Sequence, residues 1–424
     1  MKNARKLVVE ALCKVENDSA YSNIVLNDLF SSVSLDSRDK AFASALFYGV
    51  LDRKITIDYL INRISKVKVR KMDEITKQAI RIGVFQLAYM DKIPASAAVN
   101  ESVNIVKYSA EKRNANFVNG ILRAFTREIP LLPSGDTVND ISTIYSCPTE
   151  IVKELICDYG KDEVIKALDS FLKPADIFIR INSVLTTKED FCKLAIAQGI
   201  AFEYTENEFL LKIIDSTNLF SSDLFKNGFF HVQDISSTNC AESLEAKKGE
   251  RVLDVCAAPG GKSFTIAEIM QDVGEVVSCD IYEQRVNLIS QGAKRLKLKS
   301  IKAVCNDATV FNTKFGEFDA VLCDVPCSGW GVMRRKPEIK YKKDNDFSSL
   351  QQIQRNILGV SSRYVKENGR LVYSTCTLRK AENEENVKWF LENNPEFKLV
   401  NQTTLLPNNG SDGFYHAVML KNSL

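Results

Sequence analysis

Five apolar segments, spread through the chain after about residue 237, place the strongest limit on what this sequence can fold into. They are RVLDVCA, GEVVSCD, IKAVCND, FDAVLCDVP and GRLVYSTC, and they alternate with helical stretches such as EQRVNLISQGAKRL. Strands that are apolar on both faces and alternate with helices predict a parallel, doubly wound α/β sheet. Ligands of such sheets bind beyond the carboxyl ends of the strands. Each segment carries Asp or Cys at or near its end, so we expect polar and reactive side chains along that edge.

Three parts of the chain differ in pattern. Residues 1–133 show helical periodicity, as in RKLVVEALCKV, where apolar positions 7, 8, 11, 12 and 15 share one face. Asp36 or Ser37 is expected to cap the start of a later helix. After the linker-like stretch IPLLPSGDTVND, residues 134–236 mix helices with the short strands DIFIRIN, FLLKII and GFFHVQD. We therefore predict an all-helical domain (1–133), a small α+β module (134–236) and an α/β, Rossmann-like domain (237–424).

Composition excludes several classes of protein. The 424 residues contain no apolar run long enough to span a membrane, and the charged N-terminus lacks the apolar core of a signal peptide. We therefore expect a cytoplasmic protein, without a membrane partner and monomeric. Eleven cysteines are too few for a disulfide scaffold, so free thiols are expected. With only two histidines and no CxxC pair, no metal site is expected.

Charge is distributed unevenly along the chain. Residues 1–133 carry a net charge of +7 and the remainder −5, which together make the +2 of the whole chain. The basic end is a candidate anchor for a polyanion, and the run Lys66–Lys71 is the first candidate for a phosphate contact. A solvated basic face with no partner would show the same charge.

The segment DVCAAPGGKSF predicts a strand, a tight turn and the start of a helix. A P-loop would need glycine where Cys256 stands, and no G-x-G-x-x-G motif is present. The turn Pro259-Gly260-Gly261 lets a ligand approach the backbone at a helix N-terminus. Asp280, at the end of the next strand, is placed to bind ribose hydroxyls, and Asn306-Asp307 to contact an adenine. A nucleoside cofactor bound without a phosphate cradle suggests S-adenosylmethionine. Helix capping explains any one of these acids, but explains them together less well.

Two cysteines and an acid are expected to meet near this cofactor. CDVPCSGWG ends the fourth strand and YSTC the fifth, so Asp324, Cys327 and Cys376 should converge. Carbon 5 of a cytosine becomes a nucleophile only after a thiolate adds to carbon 6. An acid is then needed at N3, and a base must remove the carbon 5 proton. We expect the turn and nearby helix N-termini to lower the pKa of the attacking thiol.

The remaining cysteines are expected to be small hydrophobic core residues, since that is the commoner role of a lone buried thiol. They are Cys13, Cys147, Cys157, Cys192, Cys240, Cys256, Cys279, Cys305 and Cys323.

The segments DVCAAPGGKS, DVPCSG and YSTCTL, in this order, resemble the RNA cytosine-C5 methyltransferase family, the NOL1/NOP2/Sun group. RDKAFASALFYGVL, AYMDKIPASAAVNESVNIVK and ANFVNGILR resemble the NusB-like RNA-binding domain, and the two resemblances together cover nearly the whole chain. DNA cytosine methyltransferases use the Pro-Cys thiol, whereas this RNA family uses the Thr-Cys thiol. The resemblance therefore implies that Cys376 is the nucleophile and that Cys327 assists product release.

The resemblance also implies the cofactor contacts. Asp280 would hold the ribose, Asp307 would lie by the adenine, and Asp324 would lie between cofactor and target base. The cofactor loop would comprise Cys256, Ala257, Ala258, Pro259, Gly260, Gly261 and Lys262.

The implied substrate is a cytosine of small-subunit (16S) ribosomal RNA, flipped out of its stack or already single-stranded. In the loop after Cys327, Lys336 and Tyr341 stand where relatives often carry His and Trp, while Arg334 and Arg335 could bind phosphate. Three alternatives remain. Another RNA such as tRNA could be the substrate, or the domain could be a silent RNA-binding module. An amino-group methyltransferase of the same fold would usually carry Asn/Asp-Pro-Pro-aromatic, which the sequence DVPC lacks.

Overall fold

The computed structural model describes residues 4–18, 22–31, 33, 35–342, 346–407 and 410–423. The chain forms two units, Met1–Lys173 with Met333–Asp344, and Pro174–Val332 with Asn345–Leu424. Among the described residues, no helix is both long enough and apolar enough to cross a membrane. The expected fold class is confirmed: an all-helical part, a small α+β sheet and a Rossmann-like sheet. The boundaries at residues 133 and 236 stay predictions.

The first unit is helical. Its helices are α1 (Ala4–Asp18), α2 (Ser22–Ser31), α3 (Ser37–Asp52), α4 (Lys54–Ile64), α5 (Glu74–Tyr89), α6 (Ala95–Lys107), α7 (Ala115–Arg127), α8 (Val138–Ile144), α9 (Thr149–Tyr159) and α10 (Lys161–Phe171). The apolar stripe of α1 is buried, as its spacing predicts, at Leu7, Val8, Ala11, Leu12 and Val15. The expected cap is Asp36, whose carboxylate accepts the Asp39 N–H at 2.7 Å. It satisfies a backbone donor that the first turn of α3 leaves without a partner.

A buried arginine ties three helices of this unit together. Arg81, on α5, is 3% exposed. Its guanidinium binds both carboxylate oxygens of Asp58 on α4, each at 2.7 Å, and Glu16 on α1 at 2.6 Å. The buried charge is thus paired on two sides, as burial of an ion requires.

The segment after the Cys327 loop belongs to the helical unit. Tyr341 donates its hydroxyl hydrogen to Leu51 O at 2.9 Å, and the buried Lys340 donates to Asp52 O at 2.8 Å. Arg334 is buried as well, so of the two arginines expected to meet RNA only Arg335 is exposed. Sequence reasoning placed this segment in a loop of the catalytic domain, because nothing local reveals which unit a loop packs against.

The second unit contains two sheets. Their strands are β1 (Ile177–Ile181), β2 (Phe202–Tyr204), β3 (Leu210–Ile213), β4 (Phe230–Val232), β5 (Arg251–Asp254), β6 (Glu275–Asp280), β7 (Ile301–Cys305), β8 (Phe318–Asp324), β9 (Val365–Thr375), β10 (Phe397–Leu405) and β11 (Phe414–Lys421). The first four strands form an antiparallel sheet in the order β2-β3-β1-β4. The others form a sheet in the order β10-β11-β9-β8-β5-β6-β7.

The five predicted strands are β5 to β9, and their mutual pairings are parallel as expected. Sequence reasoning missed β10 and β11, which add an antiparallel edge. The helices of this unit are α11 (Lys188–Ala197), α12 (Asp223–Lys226), α13 (Ile235–Glu242), α14 (Gly261–Ile269), α15 (Glu283–Leu296), α16 (Phe347–Ser362) and α17 (Glu384–Asn393).

All eleven cysteines are free thiols, as expected. The expectation of burial is wrong for Cys157 and Cys305, which are exposed. Cys157 lies on the solvent side of α9, and Cys305 ends β7, the outermost strand of the large sheet. Neither site has a neighbouring layer on that side to cover the thiol.

Candidate active site

Two thiols meet at the carboxyl ends of β8 and β9. These strands are parallel neighbours, with Asp324 opposite Ser374, so the residues that follow them leave the sheet side by side. The Cys327 and Cys376 sulfurs are 3.2 Å apart although the residues are 49 positions apart in sequence. Asp324 precedes this turn on β8. The predicted convergence of Asp324, Cys327 and Cys376 at one edge is therefore present.

The protonation of the thiol pair follows from its geometry. Its hydrogen bond to Cys376, together with burial, raises the pKa of the Cys327 thiol well above its ordinary value. The sequence led us to expect a lowered pKa for the attacking thiol, and Cys327 does not meet that condition. Two sulfurs this close do not both carry a negative charge, because the second ionisation would place like charges in contact. Cys327 therefore retains its proton.

A lysine from the cofactor loop pairs with the acid of β8. Lys262 donates from Nζ to Asp324 Oδ2 at 2.7 Å, and the Ser374 hydroxyl donates to Asp324 Oδ1 at the same distance. Burial opposes the charge of Lys262, but the Asp324 carboxylate prevails and raises the pKa of the ammonium. Both oxygens of Asp324 are thereby fixed. Sequence reasoning placed Lys262 in the loop but missed this ion pair, which depends on the adjacency of β5 and β8.

The predicted cofactor loop leaves β5 and enters α14. Its Ala258–Pro259 peptide bond is cis, and the Ala257 N–H donates to Cys279 O at 2.7 Å. Gly260 has a φ of +113°, and a Cβ built there would lie 2.4 Å from the ring of Phe264. Only glycine therefore suits this position, and the backbone is left bare at the first turn of α14.

The two predicted nucleoside acids lie at the ends of neighbouring strands. Asp280, which ends β6, is buried, accepts the Tyr282 N–H at 3.1 Å and lies 3.3 Å from the Arg285 guanidinium. Asp307, just after β7, accepts the N–H and hydroxyl of Thr309 at 2.9 and 2.7 Å, so it closes a turn and does not cap a helix, which was the competing explanation. A bare helix N-terminus flanked by carboxylates, without a phosphate cradle, fits S-adenosylmethionine, whose ribose hydroxyls are donors.

One acid beneath the loop was not predicted. Asp254, the last residue of β5, is 1% exposed. The Ser263 hydroxyl donates to its Oδ2 at 2.7 Å, and the Ser278 hydroxyl donates to Ser263 Oγ at 2.8 Å. Burial raises the pKa of Asp254 to about 7. Its place at a strand end was a signal available in the sequence, because β6 and β8 also end in acids.

Comparison with known proteins gives the family. The model of the 16S rRNA methyltransferase RsmB/F family matches residues 241–419, and that of the NusB family matches residues 2–127. The chain is 38% identical to a probable ribosomal RNA small subunit methyltransferase B of Bacillus subtilis, over 93% of this chain and 90% of that protein. The chain belongs to the RsmB/F methyltransferase family. A protein of the same name from Synechocystis is 30% identical over 94% of this chain and 91% of its own.

Solved structures show the same fold. The crystal structure of PH0851 has a TM-score of 0.82 and 24% identity, and covers 99% of both chains. NSun6 from Pyrococcus horikoshii, solved with SFG, has a TM-score of 0.59 and 20% identity, covering 65% of this chain and 99% of its own. As a member of the RsmB/F family, the protein is an S-adenosylmethionine-dependent methyltransferase, as the sequence predicted.

Proposed function

We propose that this enzyme methylates carbon 5 of a cytosine in small-subunit ribosomal RNA, with Cys376 as nucleophile and Cys327 assisting release. The observation that carries the proposal is the pair of thiols 3.2 Å apart beside the Asp324–Lys262 ion pair. A transfer to an amino group has no use for two thiols. The family supports ribosomal RNA as the substrate, because the relatives from Bacillus subtilis and Synechocystis are named small-subunit ribosomal RNA methyltransferases.

The side chains at the strand ends have separate roles in the reaction. The Cys376 thiolate adds to carbon 6, and the electron pair of the C5–C6 double bond makes carbon 5 nucleophilic while N3 takes a proton or hydrogen bond. Asp324 and Lys262 form one ion pair and would supply that proton or hydrogen bond, and N3 gives the proton back to the pair when the double bond re-forms. After methylation, a base takes the carbon 5 proton, the double bond re-forms, and Cys376 leaves as thiolate. Cys327, in contact with that sulfur, assists this release.

Residues of the loop and neighbouring strands would hold the cofactor. The backbone from Cys256 through Lys262, including Ala257, Ala258, Pro259, Gly260 and Gly261, would contact its amino acid portion. Asp280 would accept from the ribose hydroxyls and Asp307 would lie near the adenine. When bound, S-adenosylmethionine supplies the methyl group as an electrophile. Asp324 would separate the cofactor from the base, so it serves both partners.

Labelling of covalent adducts tests the proposal. Wild type, Cys376→Ala, Cys327→Ala and a control, Cys305→Ala, are each incubated with unmodified 16S ribosomal RNA or tRNA and labelled cofactor, then run on a denaturing gel. We expect methylated ribosomal RNA from wild type and the control, and neither product nor adduct from Cys376→Ala. Cys327→Ala should accumulate a protein–RNA adduct that survives denaturation, because release is blocked.

Other outcomes would change the assignment of the thiols, the substrate or the reaction. An adduct in Cys376→Ala but not in Cys327→Ala would reverse the thiol roles. Label in tRNA alone would change the substrate. Digestion of the product to nucleosides must yield 5-methylcytidine, and an N4-methylated cytidine would instead favour an amino-group methyltransferase. Absence of label in every RNA would favour a silent binding module.

A further inference from the structure

Two adjacent, fully buried residues hold the turns that carry both thiols. Glu382 and Asn383 lie between a short 3₁₀ helix and α17, at 0% exposure each. We propose that this dipeptide is a positioning clamp that sets the distance between the Cys327 and Cys376 sulfurs. The inference rests on the proposed function for its catalytic meaning, but its geometric content can be tested separately.

Asn383 brackets Cys376. The Thr375 hydroxyl donates to Asn383 Oδ1 at 2.6 Å, and Asn383 Nδ2 donates to Thr377 O at 3.0 Å. One amide group therefore binds the residue before the cysteine and the residue after it. Every atom in these bonds is buried, so breaking one leaves a polar group without water. The turn at Cys376 is thus held from both sides.

Glu382 brackets Cys327 in the same way, with help from one glutamine. Its Oε2 accepts the Ser328 N–H at 2.9 Å and the Gln354 side-chain amide at 2.7 Å. The same Gln354 amide donates to Pro326 O at 3.0 Å. Pro326 and Ser328 are the residues on either side of Cys327. Both cysteine turns are therefore held by the side chains of one short segment, Glu382-Asn383.

The clamp itself is anchored and charge-balanced. The Tyr373 hydroxyl donates to Glu382 O at 2.6 Å, and Asn386 Nδ2 donates to the same carbonyl at 3.1 Å. Arg379 donates to Glu382 Oε1 at 3.2 Å, and its guanidinium lies 3.8 Å from the centre of the Phe347 ring. A buried carboxylate with charged and neutral donors on both oxygens gives strong, directional hydrogen bonds. Removal of the Glu382 carboxylate should increase the mobility of the Cys327 turn more than it lowers the stability of the fold.

A second link joins the two turns directly. The hydroxyls of Ser328 and Thr377 lie 2.7 Å apart, and the Gly331 N–H donates to Cys376 O at 3.0 Å. These bonds keep the turns adjacent, whereas the clamp orients each cysteine within its turn. Loss of the clamp should therefore broaden the distribution of sulfur–sulfur distances rather than separate the strands.

Oxidative cross-linking measures that distance without any methylation. Diamide accepts two electrons and two protons from a thiol pair to give a disulfide and its hydrazine, at a rate set by how often the sulfurs meet. The full-length protein is treated with diamide, and the Cys327–Cys376 disulfide is followed by peptide mapping under non-reducing conditions. The variants are Glu382→Gln and Asn383→Asp, which preserve side-chain volume, with the exposed Glu385→Gln as a matched control.

We expect the disulfide to form about tenfold more slowly in each clamp variant, since one buried hydrogen bond is replaced by a mismatch of two donors or two acceptors. The control should match wild type. Methyl transfer to ribosomal RNA should lose about 10²-fold in kcat. KM for S-adenosylmethionine should change less than about twofold, because the hydrogen bonds of the clamp described above go to the cysteine turns and their supports rather than to the cofactor loop. A general loss of folding would instead move both constants and the melting temperature.

Disulfide formation at the wild-type rate in both folded variants would overturn the proposal that the clamp sets the distance between the two sulfurs. If one variant fails to fold, the other decides alone. If wild type yields no 5-methylcytidine while the cross-linking rates fall as expected, the clamp stands and the proposed function fails. If methylation is as proposed but the cross-linking rates do not change, the proposed function stands and the clamp fails.

Discussion

Replacement of Asp254 by Asn should remove a pH dependence from the stability of the methyltransferase unit. The carboxyl group is buried beneath the cofactor loop, and burial raises its pKa from 3.8 to about 7. Because the folded form holds the proton more tightly than the unfolded form, the protonated acid stabilises the fold. That contribution is complete below about pH 4 and is lost as pH rises towards and through 7.

The size of the effect follows from the two pKa values. The shift corresponds to about 4 kcal/mol over the whole titration, of which about 2–3 kcal/mol falls between pH 5 and pH 8. Asn keeps an acceptor for the Ser263 hydroxyl but leaves its own NH₂ buried. It therefore adds a cost of about 1–3 kcal/mol that does not depend on pH. The quantity to compare is therefore how the free energy of unfolding changes with pH, rather than its constant difference between the two proteins.

Urea unfolding followed by tryptophan fluorescence measures this slope. The two tryptophans of the chain, Trp330 and Trp389, both belong to the second unit, so the signal reports on that unit alone. Wild type should lose about 2–3 kcal/mol of unfolding free energy between pH 5 and pH 8 relative to Asp254→Asn. The exposed Asp223→Asn should follow wild type. Parallel curves for wild type and Asp254→Asn would refute the reasoning.

Two further predictions concern the cofactor loop and the helical unit. Gly260→Ala should weaken S-adenosylmethionine binding about tenfold or more, measured by calorimetry, because the new Cβ meets the Phe264 ring at a backbone angle that alanine rarely adopts; unchanged affinity would exclude the loop from the cofactor site. Arg81→Met should destabilise the helical unit by about 3–5 kcal/mol, measured by circular dichroism, because Asp58 loses its two-point partner and Glu16 loses one of its cations; a loss under about 1 kcal/mol would mean that solvent already screens these carboxylates.

Local patterns were sufficient for much of the site. The five strands β5 to β9, the turn at Pro259-Gly260-Gly261 and the strand-end acids are each encoded within a few residues, and each is found as predicted. Apolar runs and glycine turns act through backbone preference and burial, which short segments carry by themselves. The same is true of Asp36, whose cap acts on the next three residues.

Long-range contacts could not be predicted from local sequence patterns. Glu382 and Asn383 stand in the highly charged stretch RKAENEENVKWF, yet both are buried against the two cysteine turns. The edge strands β10 and β11 were missed for a related reason, since an antiparallel edge is defined by its neighbour, β9.

The sequence by itself determined strands β5 to β9 with the helices between them, the glycine turn and the candidates for reactive residues. Only the tertiary structure decided that the sulfurs of Cys327 and Cys376 lie in contact, that Lys262 pairs with Asp324, and that Tyr341 packs in the helical unit. The reason is physical. Strand and turn formation depends on neighbours a few residues away, whereas these contacts depend on sheet register and packing between segments far apart in the chain.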